Sequence, residues 1–165
     1  MRKVILKTFL FVILVPGSVV AVIPYYLQSS YGKFYLSRYG LGGPIFVLAG
    51  IFVCIRCILD FAFIGHGTPA PIDPPKKLVT RGFYRIVRNP MYIGIGGILL
   101  GESIMLGSLI LFCYTLTFSI LTHLFIVFYE EPTLRKKFGA SYEEYYRSIP
   151  RWIPKIRRAR KVTSR

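Results

Sequence analysis

Residues 91–129 read MYIGIGGILLGESIMLGSLILFCYTLTFSILTHLFIVFY, a stretch in which Glu102 and His123 are the only acidic or basic residues. A membrane-spanning helix needs about 20 mostly apolar residues, because the hydrocarbon core is about 30 Å thick and each helical residue rises about 1.5 Å. The stretch has room for two such helices, and Gly107-Ser108 is the one turn signal inside it. A tight antiparallel hairpin is therefore expected, with spans over 91–107 and 108–129. Pro90 suits the opening of the first helix and Pro132 the closing of the second. Such a hairpin carries Arg88-Asn89-Pro90 and Tyr129-Glu130-Glu131 to the same end.

Two more apolar runs precede it, over 4–27 and 41–64. With 165 residues, 53% of them hydrophobic, and a mean hydropathy of +0.51, the chain is too apolar for a soluble fold of this size. The expected fold is all-α: one polytopic membrane domain of about four transmembrane helices with a tight C-terminal hairpin and a cytoplasmic basic tail. It divides into two N-terminal spans (1–64), a core (65–154) and the tail (155–165).

The formal charge of +15 comes from 22 Lys and Arg against 7 Asp and Glu. Three basic residues lie before or at the start of the first span, five between the second and third, and eleven after the fourth, nineteen in all, against two between the first and second and Arg56 within a span. That distribution is the positive-inside pattern of a four-span protein with both termini cytoplasmic. The basic tail then reads as a partner of anionic lipid headgroups, and nucleic acid is not expected. The bias also favours a retained first span over a cleaved signal peptide, whose removal would force a heavily basic segment outside.

Charges inside spans need a partner or a role. Arg56 and Asp60 stand four apart and are expected to pair on one helix face. Glu102 has no partner in its own helix, and His123 lies toward the other end of the hairpin. Cys54 and Cys57 form a CxxC inside an apolar helix, which reads as packing. His66 and His123 with scattered cysteines give no metal site of known spacing, so no metal is expected. Gly94-Ile95-Gly96-Gly97 lies inside a span and follows no strand, so it reads as small residues that admit close helix packing. Residues 65–75 hold four prolines and cannot be helical.

The acidic pair at the exit of the fourth span differs from these. Glu130 and Glu131 can bind an ammonium or sulfonium, Arg88 at the facing helix entrance can bind a carboxylate, and Tyr84, Tyr92 and Tyr129 can offer aromatic faces to a cation. On charges alone, a zwitterion site and a helix-end Arg88–Glu130 salt bridge stand equal.

The run LVTRGFYRIVRNPMYIG over 78–94 resembles the signature of the isoprenylcysteine carboxyl methyltransferase and phospholipid methyltransferase superfamily. The close of that pattern is present as well: Glu130-Glu131, Phe138-Gly139, Tyr142, Tyr145 and Pro150-Arg151. The resemblance covers about residues 65 to 154 and implies an integral membrane enzyme that uses S-adenosylmethionine. By it, Arg88, Asn89, Tyr92 and Gly94 line the cofactor pocket, Glu130 and Glu131 form its other wall, and Leu78 and Tyr84 approach the adenosine. Arg88, Glu130 and Arg151 are the candidate catalytic residues, Arg151 as a substitute orienting group for a carboxylate acceptor. The implied acceptor is a lipophilic or amphiphilic molecule that enters sideways between helices while the cofactor comes from the cytosol.

Two departures shape the expectation. Asn89 stands where many members have His, which preserves a hydrogen bond but not proton transfer. The segment 125–129 lacks the Arg that prenylcysteine enzymes carry before the acidic pair. Two rivals remain at this level: a nicotinamide-dependent reductase of the membrane steroid-reductase type, and a non-enzymatic scaffold or small transporter.

Overall fold

The computed structural model describes residues 11, 13–31, 40–65 and 77–154. Among them the regular structure is helical throughout, with no strand. Helix α1 (Ile23–Tyr31) follows a π-helical segment, Ser18–Val22. Helix α2 (Gly43–Asp60) is prolonged by a 3-10 turn before it, Gly40–Gly42, and a π turn after it, Phe61–Gly65. A short 3-10 turn, Gly82–Arg85, leads into α3 (Pro90–Leu106). Helix α4 (Leu109–Phe125) runs through a π turn, Ile126–Glu130, into α5 (Glu131–Phe138), and α6 (Ala140–Ser148) comes last.

The rods Gly40–Gly65 and Leu109–Phe138 are 26 and 30 residues long and apolar enough to cross a membrane. At about 1.5 Å per residue they reach roughly 39 and 45 Å. A core helix of a soluble protein would bury such a surface, whereas the most apolar parts of these two are only 11% and 22% buried. Ile45, Phe52, Leu116 and Phe128 all stand exposed. Water would not tolerate so continuous an apolar surface, and lipid does. Of the four expected spans, these are the two that meet the length requirement among the described residues. Helix α3 is apolar but shorter, and much of the first run lies outside the described residues, as does the tail at 155–165. The proline-rich loop with His66 and Lys76 also lies outside them.

The hairpin forms where expected. Gly107 adopts the left-handed conformation (φ 55°) that ends α3, and its N–H and that of Ser108 bond to the Ile104 and Ser103 carbonyls at 3.2 and 2.9 Å. Ser108 then caps α4 by accepting from the Leu111 N–H at 3.4 Å. The Ser108 hydroxyl donates to Gln28 Oε1 at 2.6 Å, which fastens α1 to the hairpin tip.

Helices α2 and α3 approach backbone to backbone. A methyl group placed on Gly101 would lie 2.6 Å from the Gly43 carbonyl oxygen and 2.7 Å from a Val47 methyl. One placed on Gly94 would lie 2.8 Å from Cys54 Sγ and 3.0 Å from the Gly50 carbonyl oxygen. Lipid offers no hydrophobic drive for helix pairing, so close van der Waals contact between small residues holds these helices together. Beyond them, Val79 and Tyr84 pack on Cys57 with Val53, Phe61 and Met91, which seats the 3-10 turn on the end of α2.

Arg56 and Asp60 do not pair: Arg56 is exposed, Asp60 is buried, and Asp60 Oδ2 has no hydrogen-bond partner among the described residues. The carboxylate instead lies against Gly82, whose positive φ of 58° and missing side chain make room for it. The expected helix end at Tyr129 also gives way. Pro132 has no N–H for the carbonyl four residues back, and the Glu131 N–H reaches Ile126, five back, so the helix widens into a π turn and continues to Phe138.

Candidate active site

The open end of the α3–α4 hairpin, the 3-10 turn, α5 and the segment after α6 converge on one cluster of charges. Its centre is Glu131, whose side chain is 7% exposed. Arg151 grips it with two bonds, Nε to Oε1 at 2.8 Å and Nη2 to Oε2 at 2.9 Å. Arg88 Nη1 donates to the same Oε1 at 2.9 Å from a side chain that is itself 8% exposed. The forked geometry of two guanidiniums around one carboxylate is what makes so buried a charge tolerable. Hydrogen bonding to Glu131 also raises the Arg151 pKa above its ordinary value.

The backbone binds the C-terminal segment to the entrance of α3. The Arg88 N–H donates to the Pro150 carbonyl at 2.9 Å, and Asn89 Nδ2 to the Arg151 carbonyl at 3.4 Å. The Tyr145 hydroxyl donates to the Tyr84 carbonyl at 2.8 Å. Tyr84, Tyr142 and Tyr145 are buried, and burial pushes their phenols up, Tyr142 to about 12, so they serve as neutral donors and apolar surface. The Arg88 guanidinium lies 4.1 Å from the centre of the Tyr146 ring, and that of Arg135 lies 4.3 Å from the same ring.

Glu130 leaves the helix in another direction. Its Oε2 accepts from the Tyr92 hydroxyl at 2.9 Å. The Arg88–Glu130 bridge expected as one alternative is thus replaced by Arg88–Glu131. Two adjacent glutamates on a helix diverge by about 100°, so the first meets α3 and the second meets the two arginines. Arg88 Nε is buried and, among the described residues, has no hydrogen-bond partner.

The structure therefore brings Arg88, Asn89, Glu131 and Arg151 together, with Tyr92 and Glu130 as a second group joined to the first through the chain. Leu78 is half-buried, and Tyr84 packs edge-on to Phe61, their ring centres 5.5 Å apart. Gly94 faces Gly50 and Cys54 of α2. Glu102 and His123 do not meet: Glu102 Oε2 is buried with no hydrogen-bond partner among the described residues, and His123 Nδ1 accepts from the Trp152 indole N–H at 3.0 Å. Among the described residues no group of three His, Cys, Asp or Glu side chains could hold a metal ion.

Sequence reasoning passed over Tyr146 and Trp152. The spacing of Tyr142, Tyr145 and Tyr146 at i, i+3 and i+4 is a signal for one aromatic face of a short helix. Nothing local ties Trp152 to His123, 29 residues away.

The sequence pattern of a family described as phospholipid methyltransferase matches residues 38–141. A protein-S-isoprenylcysteine O-methyltransferase from Schizosaccharomyces pombe is 40% identical over 82 residues, which is 48% of this chain and 34% of that protein. The chain thus spans about a third of that relative's length. No solved structure matches the chain.

Proposed function

The chain belongs to the phospholipid methyltransferase family, and on that premise we propose that it transfers a methyl group from S-adenosylmethionine to a lipophilic or amphiphilic acceptor at the cytoplasmic face of a membrane. The observation that carries the reading is the buried pairing of Arg88, Arg151 and Glu131 beside a Glu130 whose hydrogen-bond partner among the described residues is Tyr92.

The side chains fit the amino-acid end of that cofactor. Arg88 supplies a guanidinium, held by Glu131 through Nη1, and a guanidinium is the cation suited to a carboxylate. Among the described residues Glu130 has one hydrogen bond, from Tyr92 to Oε2, which leaves Oε1 for an ammonium. S-adenosylmethionine supplies a methyl group on a sulfonium, which makes the methyl an electrophile.

The protein's share is to bind, orient and exclude water. Stacking on Tyr146 and bonding to Glu131 hold the Arg88 fork in one orientation before a ligand arrives. Tyr92 does the same for Glu130. Alignment of reactants that needs no reorganisation at the moment of reaction supplies most of the acceleration in a displacement of this kind. Asn89 bonds to the backbone of Arg151 and is no proton acceptor, so its role is to fix the C-terminal segment.

Arg88→Ala and Glu130→Gln should each weaken S-adenosylhomocysteine binding roughly 30-fold or more, because truncating one partner of a desolvated charged contact costs about 2 kcal/mol or more. Titration calorimetry on the purified full chain in detergent measures this. Wild-type protein that is folded and monodisperse yet takes up neither S-adenosylmethionine nor its product would end the proposal.

A further inference from the structure

Tyr92, Ile93, Phe118, Thr122, His123 and Trp152 line a groove of about 410 Å³ between α3 and α4. Its volume is in the range of small-molecule sites. Along its flanks Ile93, Ile120 and Leu124 are exposed apolar residues of membrane helices, so the groove opens toward lipid. Its polar lining includes His123, whose ring accepts from the Trp152 indole, and Tyr92, whose hydroxyl donates to Glu130.

The hydrogen bond between Trp152 and His123 decides what the groove can recognise. An indole N–H is a donor only, so His123 Nδ1 must be the acceptor and the ring proton resides on Nε2. Among the described residues Nε2 has no hydrogen-bond partner, and it is not sealed off as a buried unsatisfied atom. A ring in that tautomer cannot take a proton through Nε2. Through that nitrogen it can only donate a hydrogen bond.

The geometry points to this groove as the acceptor's site, for a single-chain amphiphile whose headgroup presents a hydrogen-bond-accepting oxygen to His123 Nε2–H, with Trp152 holding the ring in the donating tautomer. This inference rests on the methyl-transfer reading for its meaning, since it places the headgroup in a groove that Tyr92, bonded to Glu130, also lines. It assigns His123 a positioning role in selecting the acceptor, and Trp152 the role of orienting His123. The apolar length of the groove accepts the chain, while the single donor discriminates against molecules that lack an oxygen at the head.

Trp152 is the sole tryptophan of the chain, so its fluorescence reports the groove directly. The probes are 2-bromooctadecanoic acid and 1-bromooctadecane, added at matched mole fractions to the full-length protein in detergent micelles, the bromine quenching Trp152 on contact. The acid should reach half-quenching at a mole fraction lower by at least about fivefold, the worth of one modest hydrogen bond. His123→Phe should bring the two probes together, and His123→Gln, which restores a donor, should recover the preference. Equal quenching in the wild type, or a preference that survives in His123→Phe, overturns the inference. Should His123→Phe fail to fold, the wild-type comparison and His123→Gln still decide it. S-adenosylhomocysteine binding, measured on the same samples, stands apart: its absence ends the methyl-transfer reading and leaves the quenching result to judge the groove.

Discussion

Glu130 and Glu131 differ by one position and do different work. Glu131 is clamped by two arginines, and Glu130, among the described residues, accepts from a tyrosine hydroxyl. Glu131→Gln leaves Arg88 and Arg151 side by side without their shared counter-charge. The expected loss is about 3 kcal/mol of stability, in line with breaking a buried pair, and it reads as a lower Tm in detergent. Glu130→Gln keeps an oxygen for Tyr92 and should leave Tm nearly unchanged while cofactor affinity falls. Equal thermal losses in the two variants would assign both glutamates to the scaffold. An acidic pair among so many cations is visible in the sequence as a site. Which glutamate takes which partner is not, because that depends on the rotation of the helix where it leaves the membrane.

Helices α2 and α3 owe their pairing to glycine. Gly43 and Gly101 meet at the tip end, Gly50 and Gly94 near the charged end, and neither pair has room for a side chain. Gly101→Val should destabilise the fold by about 1–3 kcal/mol through overpacking, measured as a lower Tm, and a substitution that leaves Tm unchanged would mean the helices can separate without loss. Gly96 is the control: a methyl group placed on it meets nothing within 4 Å, so Gly96→Ala should cost nothing measurable. The hairpin at Gly107-Ser108 was legible because a left-handed glycine followed by a capping serine is a local device. The π turn before Pro132 was not, since a proline after a run of apolar residues reads as a stop unless the helix beyond it finds something to pack against.

For the whole molecule, the distribution of basic residues predicts orientation. Glu144 on α6 should lie on the cytoplasmic side and Leu109 at the opposite end of the hairpin. With the three native cysteines replaced by serine, a cysteine at Leu109 should react with a membrane-impermeant thiol reagent in intact cells, and one at Glu144 only after permeabilisation. The reverse pattern would invert the topology. Apolar runs, the glycine-serine turn and the order of the motifs were sufficient for the helical class, the membrane setting and the family, because lipid demands long hydrogen-bonded apolar helices and the chain states their lengths outright. The grouping of Arg88, Glu131 and Arg151, the separate Tyr92–Glu130 pair and the tautomer of His123 are different in kind. They join residues 20 to 43 positions apart, and Coulomb energy and hydrogen-bond geometry act on distances in space, which only the packed helices set.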